Sequence, residues 1–323
     1  MSRFRRPGKN LFKALWPLAL LLVLGFCGAV GWLVYEVVRP PRSPYLITPQ
    51  TFTAYSQRAL KISDERWPNR DGTEARGWLL RGAEGAPAVI MLHSYGADRS
   101  WLLNLGVKLN ETTNYTVLWP DLRGHGQEPL ISATTLGARE ADDVLAAVDY
   151  LRSLKTPQQK PLTGGRIGFF GVELGGYAAL LAASRQSETE RAPALALDSV
   201  PTDADMLLHA ALQRSAGVDN GLLQWLARAG TRLYFLGSYQ NVSACEAAPR
   251  LSGVRVLLLT GRDANQLRDS TTELAKCLPA PALVELYSDL QFSGVSLASA
   301  TAEQGEAYDR RVIDFFDRAL QAP

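Results

Sequence analysis

Histidine and cysteine are scarce in this sequence. Three of each occur in 323 residues, and no histidine follows His209. No CxxC pair and no His-rich tract is present, so no metal site and no cofactor is expected. Charge of one sign is also lacking. Lys and Arg total 34 against 32 Asp and Glu, and a net charge of +2 gives no general case for nucleic-acid binding. Internal repeats and low-complexity tracts are absent too, which argues against a solenoid or a disordered chain. With 46% hydrophobic residues, the chain has ample material for a sizeable core.

What charge asymmetry there is lies at the N-terminus. Arg3, Arg5, Arg6, Lys9 and Lys13 occur with no acid among them, and the uncharged stretch Ala14 to Tyr35 follows. About 20 apolar residues cross a bilayer as a helix, whereas a signal-peptide core is shorter. Trp16, Trp32 and Tyr35 mark the two ends as interfacial aromatics do. The reading is a basic tail over 1–13, a single-pass signal anchor over 14–38 and a stiff Pro-rich linker over 39–50. The positive-inside bias places the N-terminus in the cytoplasm and the domain over 51–323 outside. The membrane is the one partner this implies.

Cys245 and Cys277 are the only pair in the domain. An oxidising compartment would allow a bridge, but two buried unpaired thiols are the favoured expectation, because pairing does not follow from spacing. The sequons at Asn110, Asn114 and Asn241 carry meaning only in a eukaryotic secretory pathway.

Past the linker, short apolar runs alternate with helical patterns. "RALKISDERW" and "EARGWLLRG" read as a hairpin about an Asp-Gly turn. "APAVIMLH", "NYTVLWPD", "GRIGFFG", "APALALDS", "VRVLLLTG" and "ALVELYS" read as six more strands, with amphipathic helices between them. Such alternation predicts an α/β domain: an eight-stranded, mostly parallel sheet covered on both faces. Residues 200–250 read as mostly helical, forming a small lid or simply packing beside the sheet.

Four stretches carry chemistry. In "FFGVELGGYAALLAA", residues 169–183, a strand runs through a tight glycine turn into a helix. Gly171 and Gly175 lie two positions either side of Glu173, and Gly176 lets the helix pack close. "MLHSYGAD" spans 91–98, "PDLRGHGQ" spans 120–127 and "VLLLTGRDAN" spans 256–265. Together they resemble the α/β-hydrolase fold superfamily, in particular its membrane-anchored, serine aminopeptidase-like hydrolases. The resemblance implies a nucleophile at Glu173, an acid at Asp263, oxyanion-hole amides on Tyr95 and Leu174, and structural roles for His93, Arg123 and His125. It also implies a histidine in the loop 288–300, where none exists and Ser293 or a neighbour stands instead.

Two triad members are thus missing from independent places. A carboxylate can act as a nucleophile, but a histidine must then activate water to clear the ester. His93 and His125 read as architectural, His209 as one helical residue among many. Asp263 and Asp198 read as turn residues. Glu173 has two possible roles: its carboxylate fills the former oxyanion hole between the Tyr95 and Leu174 amides, or it faces an open pocket and binds a cation. The leading function is a degenerate, non-hydrolytic binding or scaffolding module. An active hydrolase rewired around Glu173, with His125 or water as helper, is the second reading. A purely structural envelope protein is the third.

Overall fold

The computed structural model describes residues 8–42, 44–55, 60–279, 283–299 and 301–321. Arg3, Arg5 and Arg6 of the basic tail lie outside them. Two N-terminal helices, α1 (Gly8–Val38) and α2 (Pro49–Tyr55), precede the sheet. The strands are β1 (Ile62–Pro68), β2 (Glu74–Leu80), β3 (Ala88–Leu92), β4 (Thr116–Pro120), β5 (Ile167–Val172), β6 (Ala194–Asp198), β7 (Arg255–Gly261) and β8 (Val284–Leu290). They form one eight-stranded sheet in the order β1-β2-β4-β3-β5-β6-β7-β8. β1 pairs antiparallel with β2 and β2 with β4, while every later pairing is parallel.

The helices are α3 (Leu103–Thr113), α4 (Ala138–Ser153), α5 (Leu174–Arg185), α6 (Ala204–Ala216), α7 (Gly221–Phe235), α8 (Ala244–Ala247), α9 (Gln266–Cys277) and α10 (Ala302–Gln321). Side chains alternate across a strand, and here both faces are buried. Ile90, Leu92 and Phe169 point into one apolar cluster with α4 and α5; Val89, Met91 and Phe170 point into a second with α3 and α10. The continuous apolar runs in the sequence follow from that double coverage. The hairpin turns where Asp-Gly predicted, with Asn69 N–H donating to the Thr73 carbonyl (2.7 Å) and Gly72 N–H to that of Asn69 (3.0 Å).

Cys245 and Cys277 form a disulfide, with Cα atoms 5.3 Å apart. The expectation of two free thiols is therefore corrected. The packing of α8 against α9 brings the two helices together, which sequence spacing could not reveal. The bridge closes a loop of 32 residues. Replacing both cysteines with alanine should lower stability by about 3–4 kcal/mol, chiefly by freeing the unfolded chain. Urea unfolding of the variant in mild detergent, against the parent with and without reductant, measures this.

α1 holds one stretch, Leu15–Val38, that is long and apolar enough to cross a membrane. Its first part is exposed, but Leu33, Val34, Val37 and Val38 are buried against the domain. The Tyr95 hydroxyl donates to the Val37 carbonyl (2.8 Å), and Thr134 N–H to that of Val38 (2.9 Å). The Pro-rich segment continues this contact and does not stand free as a spacer. Pro40 is buried, the Tyr45 hydroxyl donates to Asp121 (3.0 Å) and Leu46 N–H donates to the Ser100 hydroxyl (2.9 Å). The end of the apolar helix is thus fixed to the domain rather than tethered to it.

Candidate active site

β5 ends at Val172 and α5 starts at Leu174, so a single residue turns the chain. Glu173 makes that turn at φ 50°, ψ −107°, a conformation costly for any residue with a side chain. The two glycines are sterically required. A Cβ on Gly171 would lie 2.4 Å from the Gly175 carbonyl carbon, and one on Gly175 would lie 2.3 Å from the Leu92 carbonyl oxygen. Gly176 is less crowded, at 3.0 Å from the Gly171 oxygen. Ser199 and Asn265, just past β6 and β7, also have positive φ. Strained turns therefore line up at the C-terminal ends of β5, β6 and β7, as they do where a fold presents functional groups.

Glu173 is 1% exposed. Its Oε2 accepts the Tyr95 N–H at 3.1 Å, which is one of the two contacts expected of a carboxylate filling an oxyanion hole. The second contact is not made. Among the described residues no hydrogen bond joins the Leu174 N–H to Glu173, and the carboxylate does not cap α5. The side chain points instead at Arg214 on α6. The Arg214 guanidinium is hydrogen-bonded through Nη2 to Oε1, and its Nη1 lies 3.4 Å from Oε2 and 3.5 Å from the Tyr95 carbonyl. It also lies over the Tyr95 ring, 5.3 Å from the centroid. The open pocket with an external cation is accordingly corrected: the cation is internal.

Sequence reasoning missed Arg214. It stands 41 residues after Glu173, in the last turn of a helix, where a basic residue reads as ordinary complementarity to the helix dipole. Nothing local marks it.

No imidazole lies within hydrogen-bond distance of Glu173 among the described residues. His93 is buried, with its Nδ1–H donating to the Ser94 carbonyl (2.8 Å) and its Nε2 accepting Leu122 N–H (3.1 Å). Those two partners fix the neutral tautomer, and burial lowers its pKa. His125 stacks edge-on to His93, with ring centroids 5.1 Å apart. Its Nδ1–H donates to the Arg123 carbonyl (2.9 Å), and burial, then His93 and Arg214, push its pKa down to about 3. Arg123 binds the Asp143 carboxylate through two nitrogens and reaches Asp71 at 3.2 Å, joining the loop after β4 to α4 and the first hairpin. His209 lies on α6, its Nε2 3.0 Å from Gln224 Nε2 on α7.

The remaining acid faces a hydroxyl. Asp263 Oδ2 accepts from the Ser293 hydroxyl (2.9 Å), and Oδ1 accepts the Ser293 N–H (2.8 Å). Ser293 thus meets the acid in the loop where the resemblance implied a histidine. It orients Asp263 but cannot take a proton from a nucleophile at neutral pH. Asp198, at the end of β6, is fully buried. It accepts from the Ser199 hydroxyl (2.7 Å), Gly294 N–H (2.8 Å) and the Tyr308 hydroxyl (2.7 Å). It locks the loop after β8 and helix α10 to the end of β6.

No family model and no curated protein sequence matches this chain. Solved structures do. An esterase of Pyrococcus furiosus superposes with a TM-score of 0.65 at 21% identity, over 88% of this chain and 98% of that one. The alpha/beta hydrolase GrgF of a Penicillium species gives 0.57 at 20% identity, over 81% of this chain and all of the other. A dienelactone hydrolase of Anabaena variabilis gives 0.54 at 15% identity, over 81% and 100%. At these identities the likeness establishes the fold, and the chain has the α/β-hydrolase fold.

Proposed function

We propose that this chain is a membrane-anchored, non-catalytic module that keeps the α/β-hydrolase scaffold for binding or scaffolding. The observation that carries this reading is the filled nucleophile position. Glu173 is buried, engaged by Tyr95 N–H and paired with Arg214. Acyl transfer on this fold needs a nucleophile with an imidazole in reach and an oxyanion hole free to receive charge. Here a carboxylate occupies one amide of that hole, and a serine faces the acid. Partners then meet the outer surface rather than the elbow. A purely structural envelope role shares the same filled site.

The membrane assignment rests on the length and composition of α1, and the orientation on the basic residues before it. The disulfide supports placing the domain on the oxidising side.

The test is the full chain in mild detergent with a fluorophosphonate probe and a panel of short-chain esters. The expected outcome is no labelling and turnover at the level of the blank. Glu173→Ser should also stay at the blank, because Ser293 cannot serve as the base. Ester turnover by the parent that is lost in Glu173→Ala would instead establish a hydrolase rewired around Glu173.

A further inference from the structure

α7 carries its larger apolar stripe on the outer side, unusual for a helix on a water-soluble domain. Leu222, Trp225, Ala229, Leu233 and Leu236 recur at helical spacing along it and its C-cap, and all are exposed. Leu233 is 73% exposed, Leu236 84% and Trp225 58%. The face turned to the domain is mixed: Ala227 is buried in the core and Phe235 packs partly against it, among polar groups. Arg228 and Arg232 pair with Asp205 on α6 at 3.2 and 3.5 Å, Gln224 meets His209, and Thr231 is fully buried. Burying an apolar stripe normally drives helix docking. Here the stripe faces outward, so something other than this domain must cover it.

The neighbour of α7 says what that is. α7 packs along the domain-proximal half of α1, and Gly230 makes the contact. A Cβ there would fall 2.7 Å from Val34 Cγ2 and 2.9 Å from Val30 Cγ1. Between the two helices runs an apolar groove of about 590 Å³, bounded by Phe26 and Trp225 and by Val38, Tyr35 and Leu233. Arg39 also lines it and lies over the Tyr35 ring at 4.9 Å, placing a cation and an aromatic together as at a headgroup boundary.

Length then decides the depth of α7. A bilayer core of ~30 Å takes about 20 helical residues at ~1.5 Å each. The apolar stretch of α1 begins at Leu15, and α7 flanks it from Phe26 onward. If everything beside α7 stood in water, only the stretch from Leu15 to Phe26 would remain, roughly 18 Å. That is too short to span. Granted that α1 spans the membrane, as the proposed function has it, α7 lies at the depth of the hydrocarbon.

We therefore propose that α7 is embedded in the leaflet on the domain's side, packed against α1, with its outward stripe and the α1–α7 groove covered by lipid acyl chains. The domain is then held with its α6–α7 face on the bilayer. As a helix, α7 satisfies its own backbone groups there, and Arg228 and Arg232 keep their charge paired with Asp205.

The test uses the full chain reconstituted in phosphatidylcholine nanodiscs, with Cys27→Ser and the disulfide kept. Spin labels are placed singly at Leu233→Cys, Leu20→Cys and, as the aqueous reference, Gln158→Cys on the loop after α4. All three sites are exposed, so labelling leaves packing intact. Collision rates with oxygen and with a water-soluble nickel chelate are compared. The expected result is an oxygen-to-nickel ratio several-fold above the Gln158 reference at both Leu20 and Leu233. A high ratio at Leu20 with a reference-like ratio at Leu233 overturns this proposal alone. Reference-like ratios at both overturn the spanning reading of α1 and this proposal with it.

Discussion

Arg214→Ala should destabilise this protein by about 3–5 kcal/mol, and Glu173→Ala by only about 1–2 kcal/mol. The asymmetry comes from where each charge can go. Glu173 is 1% exposed, so without Arg214 it keeps a buried charge compensated by one amide. Breaking a buried pair from that side costs several kcal/mol. The Arg214 side chain is 41% exposed. Without Glu173 its guanidinium can swing into water, and the main loss is the acceptor for the Tyr95 N–H. The double variant removes the stranded charge as well as its partner. It should therefore resemble Glu173→Ala, giving a coupling of about 3–5 kcal/mol between the sites, the whole of the Arg214→Ala loss. Equilibrium urea unfolding of the four proteins in one detergent measures the cycle. Equal single losses, or a double variant equal to their sum, would show that the pair does not act as the filling of the elbow.

Asp198→Ala should cost about 4 kcal/mol near pH 4, and less as the pH rises. Its carboxyl serves three groups, and alanine leaves Gly294 N–H and the Tyr308 hydroxyl buried without acceptors, at about 1–3 kcal/mol each. The pH dependence follows from burial, which raises the Asp198 pKa to about 6 against an ordinary 3.8. The folded protein thus holds this proton more tightly than the unfolded chain does. Stability from the group is fully present below about pH 4 and is lost as the pH climbs to about 6, a change of about 3 kcal/mol. The variant lacks that titration. The gap between parent and variant should therefore narrow by about 3 kcal/mol from pH 4 to pH 7. Paired unfolding curves at the two pH values check this, and a gap that widens with pH would contradict the assigned burial.

The two sites bear on the same question from different directions. The C-terminal ends of β5, β6 and β7 are held by Glu173–Arg214, Asp198–Tyr308 and Asp263–Ser293. Each contact ties a loop or helix to a strand end. The positive-φ turns at Glu173, Ser199 and Asn265 lie beside these contacts.

Much of this was legible in the chain alone, for local reasons. Alternating apolar runs and helical periods report burial on both sheet faces, and Gly171 and Gly175 report a turn with no room for a side chain. The missing histidine after Asp263 is a statement about residue types and needs no coordinates. Other features depend on which surfaces meet, and a linear pattern does not carry that. Arg214 is an unremarkable helix residue until α6 brings it to Glu173. Cys245 and Cys277 are two thiols until α8 packs on α9. The stripe from Leu222 to Leu236 reads as an ordinary amphipathic helix, because periodicity reveals that a face is apolar and not whether it turns inward. Only tertiary packing decided that Ala227, Thr231 and Phe235 of α7 meet the domain and that its larger apolar stripe runs outward beside α1.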